Sequence, residues 1–111
     1  MSHNSRPLDL LEQTILSRKV TPSEKSYTSQ LLQGGIVKIG GKIIEEAAEV
    51  VEAAGETDEE GRQHTIREAA DLLYHLLVLL ACRDVRLAEV EAELARREGV
   101  SGLEEKASRK Q

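Results

Sequence analysis

Five carboxylates on two neighbouring stretches carry the strongest chemical signal in this sequence: Glu45, Glu46 and Glu49 in the first, Glu68 and Asp71 in the second. The pattern is E-E-x-x-E, a spacer, then E-x-x-D. Side chains three or four residues apart share one face of a helix, so Glu45 and Glu46 both lie near Glu49, and Glu68 lies near Asp71. Two helices folded back on each other pool all five. Carboxylates crowded together without a cation raise each other's pKa or push their helices apart. A divalent metal resolves that conflict. An all-oxygen ligand set suits a hard ion such as Mg²⁺, which keeps several waters and binds a few carboxylates together with substrate phosphates. The chemistry indicated is metal-assisted work on a phosphate-bearing substrate. The competing reading is plainer: each acid is one more solvated charge on a helix surface.

Two lysines, Lys38 and Lys42, precede the acids by one to two turns. They suit phosphate contacts beside a metal, although Lys42 is equally well spaced for ion pairs with Glu45 and Glu46 worth a few tenths of a kcal/mol. Ser26, Tyr27 and Thr28 offer hydroxyls to a ligand or, as often near a helix start, to local backbone groups. On the second acidic stretch His64, Glu68, Asp71 and His75 form a stripe at i, i+4, i+7 and i+11. His75 is either a ligand or base, or a hydrogen-bonded structural histidine, and His64 is expected in solvent.

The elements that must position these groups are helices. Pro7 opens a first helix to about Lys19, with Leu8, Leu11 and Ile15 at helical spacing. Thr21-Pro22-Ser23-Glu24 reads as a capping box that starts a second helix, stopped at Gly34-Gly35. A third runs from about Ile36 to Ala54, ends at Gly55, and gathers Ile36, Ile39, Ile43, Ala47, Val50, Val51 and Ala54 into one apolar arc. Gly40-Gly41 weakens it by roughly 1 kcal/mol per glycine, tolerable where a ligand or backbone comes close. After the polar turn Glu56 to Gly61 comes a fourth helix, about Arg62 to Arg83. A fifth covers about Leu87 to Arg97, and Ser101 to Gln111 reads as a polar tail. The expectation is a single all-α domain over residues 1–111, a bundle of about five helices.

With 111 residues, 2% aromatics and no Phe or Trp, the core must be built from Leu, Ile, Val and Ala, which favours helix packing. A net charge of −5 and the lack of a basic stripe argue against nucleic acid as a partner. Met1 to Asp9 lacks a signal-peptide core and Leu76 to Cys82 is too short to span a bilayer, so no membrane association and a cytoplasmic location are expected. The lone Cys82 reads as a buried thiol. Leu72, Leu73, Leu76, Leu77, Val78, Leu79 and Leu80 make the fourth helix apolar nearly all round. Such a helix needs partners on every side, and the surface from Leu72 to Cys82 is expected to join a homodimer or higher homo-oligomer with the acids close to the boundary.

Longer stretches add a family likeness. Ser26-Tyr27-Thr28 with Leu31-Leu32, the run Lys42-Ile43-Ile44-Glu45-Glu46-Ala47-Ala48-Glu49-Val50, and Ala70-Asp71-Leu72-Leu73-Tyr74-His75 through Leu79 resemble the phosphoribosyl-ATP pyrophosphatases of histidine biosynthesis, within the MazG-like all-α nucleotide pyrophosphohydrolases. The segment Ser101 to Ser108 is similar to that branch as well. The resemblance implies Mg²⁺-dependent hydrolysis of phosphoribosyl-ATP to phosphoribosyl-AMP and pyrophosphate. It implies Glu45, Glu46, Glu49, Glu68 and Asp71 as metal ligands, with Glu45, Glu46 and Glu49 catalytic. Lys38, Lys42, Tyr27 and Thr28 would contact substrate.

Overall fold

The computed structural model describes residues 6–99 and 102–109. Among the described residues five helices follow one another: α1 (Pro7–Val20), α2 (Tyr27–Ala54), α3 (Glu59–Cys82), α4 (Leu87–Arg96) and α5 (Gly102–Arg109). The all-α expectation holds, and no described helix is long and apolar enough to cross a membrane. Helices α2 and α3 are the principal pair. They run antiparallel, since Tyr27 at the start of α2 reaches His75 late in α3 while Glu46 lies with Glu68 and Asp71. Helix α1 packs across them, and Ile15, Leu31, Ile39, Leu77, Val78 and Ala81 form the buried core.

Helix α2 is two helices in succession, because Gly35 has φ 72° and ψ −168° and breaks the spiral where the sequence places its Gly34-Gly35 stop. A positive φ of this kind is accessible to glycine without a Cβ penalty. The expected capping box at Thr21 does not open a helix. Instead the Ser26 hydroxyl accepts from the Ser29 N–H at 3.1 Å, so the helix begins at Tyr27. The intervening turn is held because the buried Ser29 hydroxyl accepts from the Ser23 N–H at 3.0 Å. Serine at this position satisfies an orphan donor of the first turn, and that local role is what Ser26 performs.

Helix α3 starts earlier than expected, at Glu59, with the Asp58 carboxylate accepting from the Gly61 N–H at 2.8 Å. Gly61 is required there by space. A Cβ on it would stand 2.3 Å from the Glu56 carbonyl oxygen. Gly61→Ala is therefore expected to lower stability by about 1–3 kcal/mol, the usual range for overpacking, by displacing the α2–α3 turn. A melting temperature equal to wild type would disprove that requirement.

The apolar surface distributes differently from the expectation. Leu77, Val78 and Ala81 are buried in the chain's own core, and Leu72, Leu79, Leu80 and Cys82 are half-buried, because α1 and α2 together cover this end of α3. Only Leu73 and Leu76 of the run stay exposed. A row of uncovered apolar side chains sits on α2: Val37, Ile44 and Val51 are 89%, 74% and 74% exposed. Spaced seven apart, they form a stripe opposite the face that carries Ile39, Glu46 and Ala53 against α3. Ile36, Ala47, Val51 and Ala54 of the expected apolar arc are likewise exposed.

Helix α4 is anchored by polar contacts. The buried Glu12 of α1 accepts from the Leu87 N–H at 2.7 Å and from the Arg86 guanidinium at 3.1 Å, and that guanidinium holds the Glu12 carboxyl below its usual range. Of the tail expected from Ser101 to Gln111, residues 102–109 are helical, while Ser101, Lys110 and Gln111 lie outside the described residues.

Candidate active site

The antiparallel crossing of α2 and α3 brings the two acidic stretches face to face. Carboxylate oxygens of Glu46, Glu68 and Asp71 all lie within 4.8 Å of one another. One oxygen each of Glu46 and Glu68 is buried without any hydrogen-bond partner. A buried acceptor left unpaired is costly, and two carboxylates that each carry one, gathered with a third, are an arrangement that a hard cation satisfies. The oxygen-only donor set fits Mg²⁺.

Glu49 stands beside this group. Its carboxyl is pushed above the usual carboxylate range, first by hydrogen bonding to Glu68, then by the repulsion of Glu68's charge, with Glu45 adding to it and hydrogen bonding to Glu46 acting the other way. Glu45 is exposed and outside the converging group. Consecutive helical residues point about 100° apart, so Glu45 and Glu46 cannot both face α3.

The structure adds residues to which the spacing alone had assigned no role. His64 is half-buried rather than solvated: Nδ1 is 3.1 Å from Glu56 and Nε2 is 3.5 Å from Glu68. The hydrogen bond to Glu56 raises its pKa, with the charges of Glu56 and Glu68 contributing in the same direction. Glu49, Glu52, His64 and Glu68 line a cleft of about 290 Å³. The signal for His64 was its place on the stripe with Glu68; for Glu52 it was the i+3 spacing from Glu49.

Beyond Asp71 the stripe ends in an aromatic cluster. His75 is buried, with Nδ1 2.9 Å from the Asp71 carbonyl oxygen and Nε2 3.1 Å from the Tyr27 hydroxyl. Thr28 and Tyr74 share a hydroxyl–hydroxyl hydrogen bond. Lys38 and Lys42 make no ion pair among the described residues, so the expected intrahelical pairs of Lys42 with Glu45 and Glu46 are not formed. The Lys38 stem instead fills the space left by Gly34, where a Cβ would lie 2.3 Å from its Cδ. Around Gly40 and Gly41 an added Cβ would meet nothing within 4 Å among the described residues, none of which requires these glycines by contact.

The family model described as phosphoribosyl-ATP pyrophosphohydrolase matches residues 8–98, which include every one of these groups. The chain belongs to that family. Among curated members, a phosphoribosyl-ATP pyrophosphatase of Rhodopirellula baltica is 57% identical over 109 residues, covering 98% of this chain and 91% of its own. Those of Trichlorobacter lovleyi and Paracoccus denitrificans are each 53% identical, with 100% and 93% of both partners covered. The phosphoribosyl-ATP pyrophosphohydrolases are hydrolases of a phosphoanhydride, a chemistry in keeping with a carboxylate cluster made for a cation.

Proposed function

We propose that this chain hydrolyses phosphoribosyl-ATP to phosphoribosyl-AMP and pyrophosphate in histidine biosynthesis, with Mg²⁺ as cofactor and in the cytoplasm. The observation that carries the reading is the convergence of Glu46, Glu68 and Asp71, two of which carry an orphaned buried oxygen, in a chain matched to this family along most of its length. Glu46, Glu68 and Asp71 would hold the ion, with Glu49 and Glu45 at its margin. Bound there, Mg²⁺ would neutralise triphosphate oxygens and acidify a water molecule. His64 braces Glu68 from the outer side. Glu49, outside the converging trio and with its pKa raised by its hydrogen bond to Glu68, takes the proton of the attacking water. Lys38 and Lys42 supply the positive charge that the acidic cleft lacks.

A panel of phosphoribosyl-ATP and free nucleoside triphosphates, assayed for pyrophosphate release with and without Mg²⁺, tests the reading. Release from phosphoribosyl-ATP alone, and only with the ion, is expected; turnover of free nucleoside triphosphates in its place would refute it. Since neither lysine is engaged in an ion pair, Lys42→Ala is expected to lower kcat/KM about tenfold, near the loss of one hydrogen bond to a charged group, with the melting temperature unchanged. A lowered melting temperature with intact kinetics would assign Lys42 to the fold.

The working unit we propose is a homodimer. A folded chain of 12.2 kDa ordinarily exposes about 6,100 Å², whereas this one exposes 8055 Å². Exposed in the single chain are all the described side chains of α5 and the apolar stripes on α2 and α3. Glu45 and the cleft-lining Glu52 lie on the flank of α2 next to its exposed stripe, so a second copy seated on the stripe walls the cleft.

A further inference from the structure

A second cleft, of about 360 Å³ and so within the range of small-molecule pockets, is walled by the last turns of α1, the turn after it, the first segment of α2 and the end of α3. It shares no lining residue with the acid cleft. From Glu68 to Cys82 the axis of α3 advances about 21 Å at 1.5 Å per residue, which separates the two sites. Although the chain carries 20 acidic residues against 15 basic ones, no described acid lines this second cleft. Two cations do. Lys19 is already engaged, since its ammonium donates to the Ala81 carbonyl oxygen at 2.7 Å and pairs with Asp84. Arg18 beside it makes no ion pair or side-chain hydrogen bond among the described residues, and neither does the Gln33 amide. Ser29 adds a further donor. It is 2% exposed, its oxygen accepts from the Ser23 N–H, and no described acceptor takes its own proton.

A free guanidinium, an amide and a hydroxyl proton around a space without a carboxylate suit a negatively charged group rich in acceptors. The rest of the wall is Pro22, Leu32 and the Cys82 thiol, which offer apolar contact and no charge. We propose that this cleft binds a small organic anion, with its carboxylate or phosphate on Arg18 and Gln33 and its apolar body against Pro22, Leu32 and Cys82. The site is independent of the metal and of the reaction assigned to the acid cleft.

Cys82 is the only cysteine in the chain, so its alkylation by iodoacetamide reports on this cleft alone. Phenyl phosphate and benzoate carry the two head groups on one apolar ring. At least one of them is expected to slow the alkylation saturably, half-effective on the order of 1 mM, and equally with Mg²⁺ or with a chelator. Inorganic phosphate, a head group without a body, and benzyl alcohol, a body without a charge, should each protect at least about tenfold less well. Titrating the backbone amide resonances of Arg18, Ser29 and Gln33 gives the same constants without the thiol. Arg18→Gln is expected to raise the half-effective concentration about tenfold or more, the loss of a charge-assisted hydrogen bond, and Gln33→Glu to do at least as much by placing a carboxylate on the wall. Both side chains are exposed, so neither change disturbs the core. Absence of binding by both ring anions, binding that Arg18→Gln leaves unchanged, or equal binding of benzyl alcohol or inorganic phosphate overturns the site. Binding that requires Mg²⁺ also overturns it, because the anion would then sit at the carboxylates.

Discussion

Glu46→Gln and Glu68→Gln will each lower kcat/KM by about 10²- to 10³-fold, the loss typical of removing one preorganised electrostatic contact to a developing charge. Each also changes stability, in opposite directions with and without the ion. In wild type, Mg²⁺ at one hundred times its Kd should stabilise the fold by about 2.7 kcal/mol, because it binds the native carboxylates and not the unfolded chain. Either amide variant should lose that increment. Without Mg²⁺ the same variants should melt above wild type, since either amide relieves the crowding of the Glu46, Glu68 and Asp71 carboxylates, and Glu68→Gln also removes the charge that raises the Glu49 pKa. Glu45→Gln, altering an exposed carboxylate outside the converging group, should do much less in every measurement. An Mg²⁺-dependent rise in melting temperature that survives in both Glu46→Gln and Glu68→Gln would remove these residues from the metal site.

Ile44→Glu is expected to dissociate the proposed homodimer and reduce activity with it. Ile44 is 74% exposed in the single chain, so the substitution leaves the core around Ile39 and Val78 untouched. Across a twofold axis the change occurs twice. Losing two buried isoleucines costs roughly 1.5–3 kcal/mol each before any penalty for the new charges, which weakens association at least about a hundredfold. Leu79→Glu, which the sequence alone suggests for this purpose, would place its charge in a half-buried position packed on the core and would unfold the monomer instead. Sedimentation velocity and turnover measured on the same sample decide the matter. A wild-type monomer at micromolar concentration with full activity would end the dimer reading.

Several features of this protein are local and were legible in residue order. The break at Gly35 follows from two adjacent glycines between apolar runs, and the end of α2 before Gly55 from the change to a polar turn. The pairing of Glu46 with Glu68 and Asp71 was implicit in helical spacing once α2 and α3 were folded together. What the spacing could not decide is which of two adjacent glutamates faces the partner helix. Glu45 and Glu46 differ by about 100° of rotation, and the contact face of α2 is chosen by packing of Ile39 and Ala53, not by the acids.

The remaining differences have the same origin. The apolar run of α3 reads as an interface because nothing in its order says that α1 lies across it and buries Leu77, Val78 and Ala81. Conversely, the exposed stripe of Val37, Ile44 and Val51 is indistinguishable by composition from the buried Ile39, and only the position of α3 separates them. His64 gains Glu56 as a neighbour because the turn before α3 folds back over Gly61, and Tyr27 meets His75 across 48 residues because the two helices run antiparallel. Helix content, helix breaks and the inventory of acids were properties of short stretches of chain. Which oxygen is orphaned and which apolar face is left uncovered depend on what packs against each stretch, and only the tertiary structure decided them.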